Sequence, residues 1–466
     1  MLFNSIDYLI FLPLVVVAFY LIPKRFRWIL LLAASYFFYM FWRWEYVILL
    51  IISTMVDYVV AIKMSQALER KTRRMYLMIS IATNLGLLFF FKYFNFFTEN
   101  TVLFLEEFNI FVQYDFEQIL LPVGISFYTF QTLSYTIDVY QRKAAAETHL
   151  GYFALYVSYF PQLVAGPIER SVRLIPQFKR NPKVTRDDIR YAINKILLGF
   201  FKKLVVADTL SLYVNSIYSN VEGTTGIQLY LGAFFFAIQL FCDFSGYTDI
   251  AIGSARLMGV RLMENFRRPL WSENHSEYWS KWHISLTSWI RDYVYVPLSK
   301  INRSPSARAV WAIVVLVLIG FWHGANWTFI FFGLLNGVVL ITQRVLRNVP
   351  LFAMIRKNPV GNALQRLLNL NLLFLEAVYF RSVDVRMGNT VLYKIFTDFR
   401  LSVSEVLSLY KYEFLMSVVV SLMLLATVTF NKDLKFKHNW AYVTVTIAII
   451  IVFGQDLKNQ FIYFQF

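Results

Sequence analysis

Residues Gly320 to Phe329 read GFWHGANWTF. His323 is the one group titrating near neutral pH in the apolar run between Arg308 and Arg344. A hydrocarbon side chain would sit there at far lower cost. Two roles fit an imidazole in such a place. It can bond a carbonyl and glue helices together, or it can stand as a neutral base ready to take a proton. Gly324 admits a second group close to the backbone, and Asn326 offers an amide donor. Trp322 and Trp327 flank the pair.

A second histidine, His283, lies in SEYWSKWHISLTSWIRDYVYVPL. At helical spacing Trp282, Leu286, Trp289 and Tyr293 form an apolar stripe. His283, Thr287 and Arg291 line a neighbouring face, and Lys281, Ser285, Ser288 and Asp292 a third. This is the pattern of a helix lying in the membrane interface, or dipping inward with one polar side toward a cavity. His149 and His438 fall in loops and His275 in a polar stretch, which reads as solvated or structural.

In FCDFSGYTDIAIGSARLMG, Asp243 and Tyr247 are four residues apart and share a helical face, as do Ser245 and Asp249. A carboxylate inside an apolar segment either lines a functional cavity or fastens two helices through a nearby arginine. The histidines and carboxylates have no recognised metal-ligand spacing.

The elements that must position these groups are membrane helices. Hydrophobic residues make up 58% of the 466, and charged residues only 16%, against about a quarter in soluble domains. Phenylalanine (46) and tyrosine (29) suit a membrane interior with aromatic belts. The net charge of +16 recurs in short loops between apolar segments, which argues for cytoplasmic loops and against nucleic acid. A single cysteine, Cys242, excludes an intrachain disulfide.

The first apolar stretch precedes its basic cluster, Lys24 to Arg27, so it reads as a helix with its N-terminus outside. Charge bookkeeping places TVLFLEEFNIFVQYDFEQ outside, NKDLKFKH inside and the C-terminus outside. The segment GYFALYVSYFPQLVAGPIER has basic flanks on both sides and breaks at Pro161, Gly166 and Pro167, which reads as re-entrant. Ala309 to Ile341 reads as two short helices with HGAN as the break, or else as one tilted helix. No soluble domain stands out, so residues 1–466 read as one membrane-embedded domain.

Seven stretches occur together and in order: PVGISFYTFQTLSYTIDVY, YFPQLVAGPIER, FFKKLVVADTL, FCDFSGYTDIAIGSARLMG, ENFRRPLW, WSKWHISLTSWIRDYVYVPL and GFWHGANW. In this combination the chain resembles the membrane-bound O-acyltransferases (MBOAT), in the bacterial branch of alginate and peptidoglycan O-acetylation. The resemblance runs to the closing FIYFQF. It implies an all-α polytopic fold of about eleven transmembrane helices with re-entrant and interfacial pieces. His323 matches the histidine of the family's WHG motif, which implies catalysis, and His283 matches its second histidine. Ser280 and Lys281 stand where two basic residues are expected, and VPLSKINRS replaces a glycine-rich stretch.

The expected activity is transfer of acetyl from cytosolic acetyl-CoA to an extracytoplasmic polysaccharide hydroxyl, directly or through a secreted SGNH-hydrolase-like partner. His323 is the expected base, with His283 beside it and Asn326 or a backbone amide at the oxyanion. Trp322, Trp282, Asp243 and Tyr247 would line the substrate path. Lys281 and Arg291 would meet the coenzyme's phosphates. No resident cofactor is expected, and the setting would be the bacterial inner membrane. The rivals are D-alanyl transfer to teichoic acid from a carrier protein, and a transporter with a histidine proton relay.

Overall fold

In the computed structural model the residues described are 1–111, 119–180, 183–399, 410–430, 440–454 and 461–462. The loop NKDLKFKH with His438 and the residues after Ile462 lie outside them, as does the end of the acidic stretch near residue 115. The described residues are mostly helical and contain no strand. Among the described residues, five helices are long and apolar enough to cross a membrane: Trp44–Gln66, Arg70–Glu106, Gly226–Leu257, Pro305–His323 and Trp327–Arg347. Shorter apolar helices such as Ile6–Leu21 and Val443–Phe453 accompany them. The chain is a polytopic, all-α membrane protein.

Two compact units divide it, Met1–Ala192 with Ser254–Met263, and Ile193–Gly253 with Glu264–Phe466. In the first unit, Phe38 packs with Phe3, Tyr8, Phe11 and Phe160 in an aromatic core. The apolar GYFALYVSYFPQL stretch forms two short buried helices, Leu150–Ser158 and Phe160–Leu163. Its broken backbone is thus buried in protein, as non-helical structure in an apolar setting requires.

The first unit also holds a carboxylate that the sequence reading passed over. Asp57 sits mid-way along Trp44–Gln66, fully buried. It accepts from Ser80 Oγ at 2.6 Å and from Asn84 Nδ2 at 2.8 Å. Ser53 Oγ and Thr132 Oγ1 in turn donate to Asn84 Oδ1. A hydroxyl and an amide from Arg70–Glu106 thus satisfy the acid inside the protein, and groups on two further elements hold that amide in place.

The second unit carries every candidate site residue. Its central hairpin consists of Pro305–His323 and Trp327–Arg347, joined by Gly324, Ala325 and Asn326. HGAN is therefore a break, as one of the two sequence readings had it. The helices are not short, however, at 19 and 21 residues. They pack closely because Gly320 faces the partner backbone, where an added Cβ would lie 2.1 Å from the Phe329 carbonyl oxygen.

The Trp282 segment departs further from expectation. It is not one helix with three faces. His275–Lys281 ends at Trp282, His283 takes a left-handed conformation (φ 41°, ψ 54°), and Ile284–Ile290 begins anew. Asn265 holds the restart: its carbonyl accepts from Ile284 N–H and its side-chain oxygen from Ser285 N–H. Trp282, His283 and Lys281 therefore drop out of the stripes counted through the break, while Trp289 and Tyr293 still pack together at 5.1 Å beyond it. A wider turn, Arg291–Tyr295, follows.

Candidate active site

Trp322 joins the two histidines. Its ring centroid lies 5.9 Å from that of His283 and 4.9 Å from that of His323, each at a steep angle. All three residues are buried. His323 reaches this point as the last residue of its helix, and His283 arrives from the left-handed break between two short helices. Phe244, on Gly226–Leu257, stands edge-on to His283 at 4.7 Å. Phe380, on Pro359–Arg381, stands edge-on to His323 at 5.3 Å. The imidazoles thus sit in an aromatic enclosure that limits water and holds ring orientation.

Gly324 has the tight surroundings its place after His323 suggested, since an added Cβ would fall 2.1 Å from the Phe329 ring. Asn326 has a structural duty. Its Oδ1 caps Trp327–Arg347 by accepting from Thr328 N–H, and its Nδ2 donates to the Val383 carbonyl. One of its two amide protons is therefore committed to the fold.

Asp243 and Asp249 are both ion-paired. Lys203 Nζ bridges Asp243 at 2.8 Å and Asp208 at 2.9 Å. Asp249 takes Lys195 and Lys202, both at 2.7 Å. This is the fastening arrangement, with lysines where an arginine was anticipated. Lys202, Lys203 and Asp208 come from FFKKLVVAD, in which Phe201–Ala207 forms a widened helical turn, and Lys195 comes from the helix before it, Arg186–Phe200. Asp243 Oδ2 also accepts from Ile462 N–H at 2.7 Å, and Phe461 packs on Tyr247 at 4.8 Å. The face shared by Asp243 and Tyr247 is thus covered by residues close to the end of the chain.

Trp282 lies in an aromatic cluster, stacked on Tyr278 at 5.5 Å and edge-on to Phe266 at 5.1 Å. Lys281 pairs with Glu277 at 2.5 Å, one helical turn away. Arg291 is exposed and touches its neighbour Asp292. Neither basic residue is built into the aromatic enclosure. Sequence reasoning missed Asn265, Phe244 and Phe380; of these only Asn265, an asparagine ahead of a turn, left a local signal.

The helical membrane fold agrees with the comparisons. The profile of the MBOAT, membrane-bound O-acyltransferase family, matches residues 142–380. The chain is 38% identical over 350 residues to the probable alginate O-acetylase AlgI of Azotobacter vinelandii, covering 74% of this chain and 69% of that protein. It is 33% identical over 403 residues to the peptidoglycan O-acetyltransferase of Helicobacter pylori, covering 80% and 73%. A teichoic acid D-alanyltransferase of Streptococcus thermophilus is 30% identical over 241 residues, 48% of this chain and 57% of its own. The chain belongs to the membrane-bound O-acyltransferase family.

Proposed function

We propose that the protein transfers an acetyl group from acetyl-CoA to a hydroxyl of an extracytoplasmic polysaccharide. The hydroxyl belongs to the polymer itself or to a serine of a secreted, SGNH-hydrolase-like relay protein. The observation that carries the reading is the pair of buried histidines, from separate elements, set against Trp322. The O-acetylating relatives, longer in their match than the D-alanyltransferase, favour acetyl over D-alanyl.

In this reading His323 takes the proton of the incoming hydroxyl as its oxygen bonds to the thioester carbonyl carbon. The C–S bond then breaks, the departing sulfur receives that proton, and free CoA leaves. A backbone amide near the HGAN break steadies the oxyanion, because Asn326 already serves as a cap. Coenzyme A is too charged to cross a bilayer, so only its thioester end need reach the histidines. Exposed Arg291, together with Lys281, would meet the phosphates at the cytoplasmic face of the inner membrane.

Purified protein in proteoliposomes, given acetyl-CoA and the isolated envelope polysaccharides, tests this by thiol release and by mass spectrometry of the polymer. Wild type is expected to release CoA and leave an acetylated polymer, and His323→Ala to lose at least a hundredfold in turnover. Wild-type turnover in His323→Ala would remove the base. Activity confined to an aminoacyl carrier protein would replace acetyl with D-alanyl, and polymer movement without thioester cleavage would indicate a transporter.

A further inference from the structure

His275, eight residues before His283, is fully buried. Every polar atom of this residue described below meets a side chain from one of two long helices. Its backbone N–H donates to Gln343 Oε1 at 2.8 Å, on Trp327–Arg347. Its Nδ1 lies 2.7 Å from Asn369 Oδ1, and its Nε2 lies 2.8 Å from both oxygens of Glu376, on Pro359–Arg381. The Asn369 amide is oriented by its other end, since Nδ2 donates to the Ser272 carbonyl. Its oxygen must therefore face the imidazole, so Nδ1–H is a donor. With Nδ1 committed to Asn369, Nε2 faces the Glu376 carboxyl group, and His275 and Glu376 form a buried hydrogen-bonded pair.

The placement of that pair gives it a use. Glu376 and Phe380 are one turn apart on the same face of Pro359–Arg381, and Phe380 is the ring edge-on to His323. His275 opens the short helix that ends at Trp282, directly before His283. Asn362 and Arg366, farther along that face, bind Glu273 and extend the same seam. One helix face thus holds His323 through Phe380 and the His283 segment through Glu376.

We infer that His275 and Glu376 are positioning residues: their hydrogen-bonded pair sets the register between the two active-site histidines, and neither touches the substrate. The inference rests on the acyl-transfer reading of that site. A displacement of about 1 Å at reacting groups lowers turnover by up to about a hundredfold. A pair that served stability alone would be replaceable, because replacing both partners of a buried hydrogen bond by apolar groups of the same shape is often nearly neutral for stability.

The test is the double variant His275→Leu with Glu376→Leu, in the full-length protein. It is expected to keep its Tm and its KM for acetyl-CoA within twofold, while kcat falls at least tenfold. The protein has five histidines, so ¹⁵N-imidazole spectra resolve each one, and the His283 and His323 signals are expected to shift. A kcat within twofold of wild type overturns the inference. If the double variant does not fold, Glu376→Asp decides, since it keeps the carboxyl group but withdraws it by one methylene. Lowered kcat at unchanged KM then supports positioning, and wild-type kcat refutes it. If wild type itself does not turn over acetyl-CoA, the functional reading fails separately. The spectra of the double variant still decide the positioning role: unmoved His283 and His323 signals overturn it.

Discussion

His283 and Trp322 meet ring to ring at 5.9 Å and 62°, although one closes a break between short helices and the other lies in a long membrane helix. The contact depends on a left-handed backbone at His283, a conformation that asparagine tolerates better than most residues. His283→Asn should therefore fold, with Tm within a few degrees of wild type, yet lose at least tenfold in turnover because the aromatic contact with Trp322 is gone. Turnover and thermal unfolding on one preparation separate the imidazole from the backbone.

Gly320→Ala should weaken the central hairpin. The new Cβ would sit 2.1 Å from the Phe329 carbonyl oxygen, a backbone atom with little room to yield. Overpacking of this kind costs about 1–3 kcal/mol, and the strain falls one turn before His323. Thermal unfolding should show a lower Tm, and thiol release should show reduced turnover in the fraction that stays folded.

Lys203→Met leaves Asp208 and Asp243 buried without the cation that bridges them. Removing one partner of a buried ion pair costs about 3–5 kcal/mol. The triple variant that also carries Asp208→Asn and Asp243→Asn removes both stranded charges and should recover most of the loss. Unfolding in a mild detergent series would rank the three proteins, and a triple variant no better than the single would refute the account.

Asp188 gives an acid-side signature in the first unit. Burial opposes its charge, but the Thr185 N–H and hydroxyl, Arg256 and Arg261 together hold the carboxyl below its ordinary 3.8. The unfolded chain then binds the proton more readily than the folded one. The stabilisation is complete above the ordinary value and fades as pH falls through the folded one. Asp188→Asn should be less stable than wild type at neutral pH, and the gap should close in acid. A Tm difference independent of pH would contradict this.

Composition and charge pattern made the membrane class and the HGAN break legible, because a 58% apolar chain with basic loops admits few other readings. His323, Trp322 and His283 were legible from residue type and from the resemblance, and the structure brings them together. Continuous helical counting failed at His283, where a left-handed residue and the Asn265 cap reset the register. Asp243 left two roles open, since its lysine lies forty residues earlier and periodicity says nothing of such pairing. His275 read as solvated or structural, and its burial depends on Asn369 and Glu376, about a hundred residues away.

The Asp57 network bears on how the chain enters a bilayer. A helix with a carboxylate at its midpoint inserts at a penalty of about 3 kcal/mol when alone. The donors that relieve it, Ser80 and Asn84, belong to the next helix to emerge, and Thr132 follows later still. Trp44–Gln66 is thus costly as a solitary insertion intermediate and gains its place once Arg70–Glu106 has joined it. Biogenesis of this region is a collective event, with the acid acting as a checkpoint on the order in which neighbouring helices assemble.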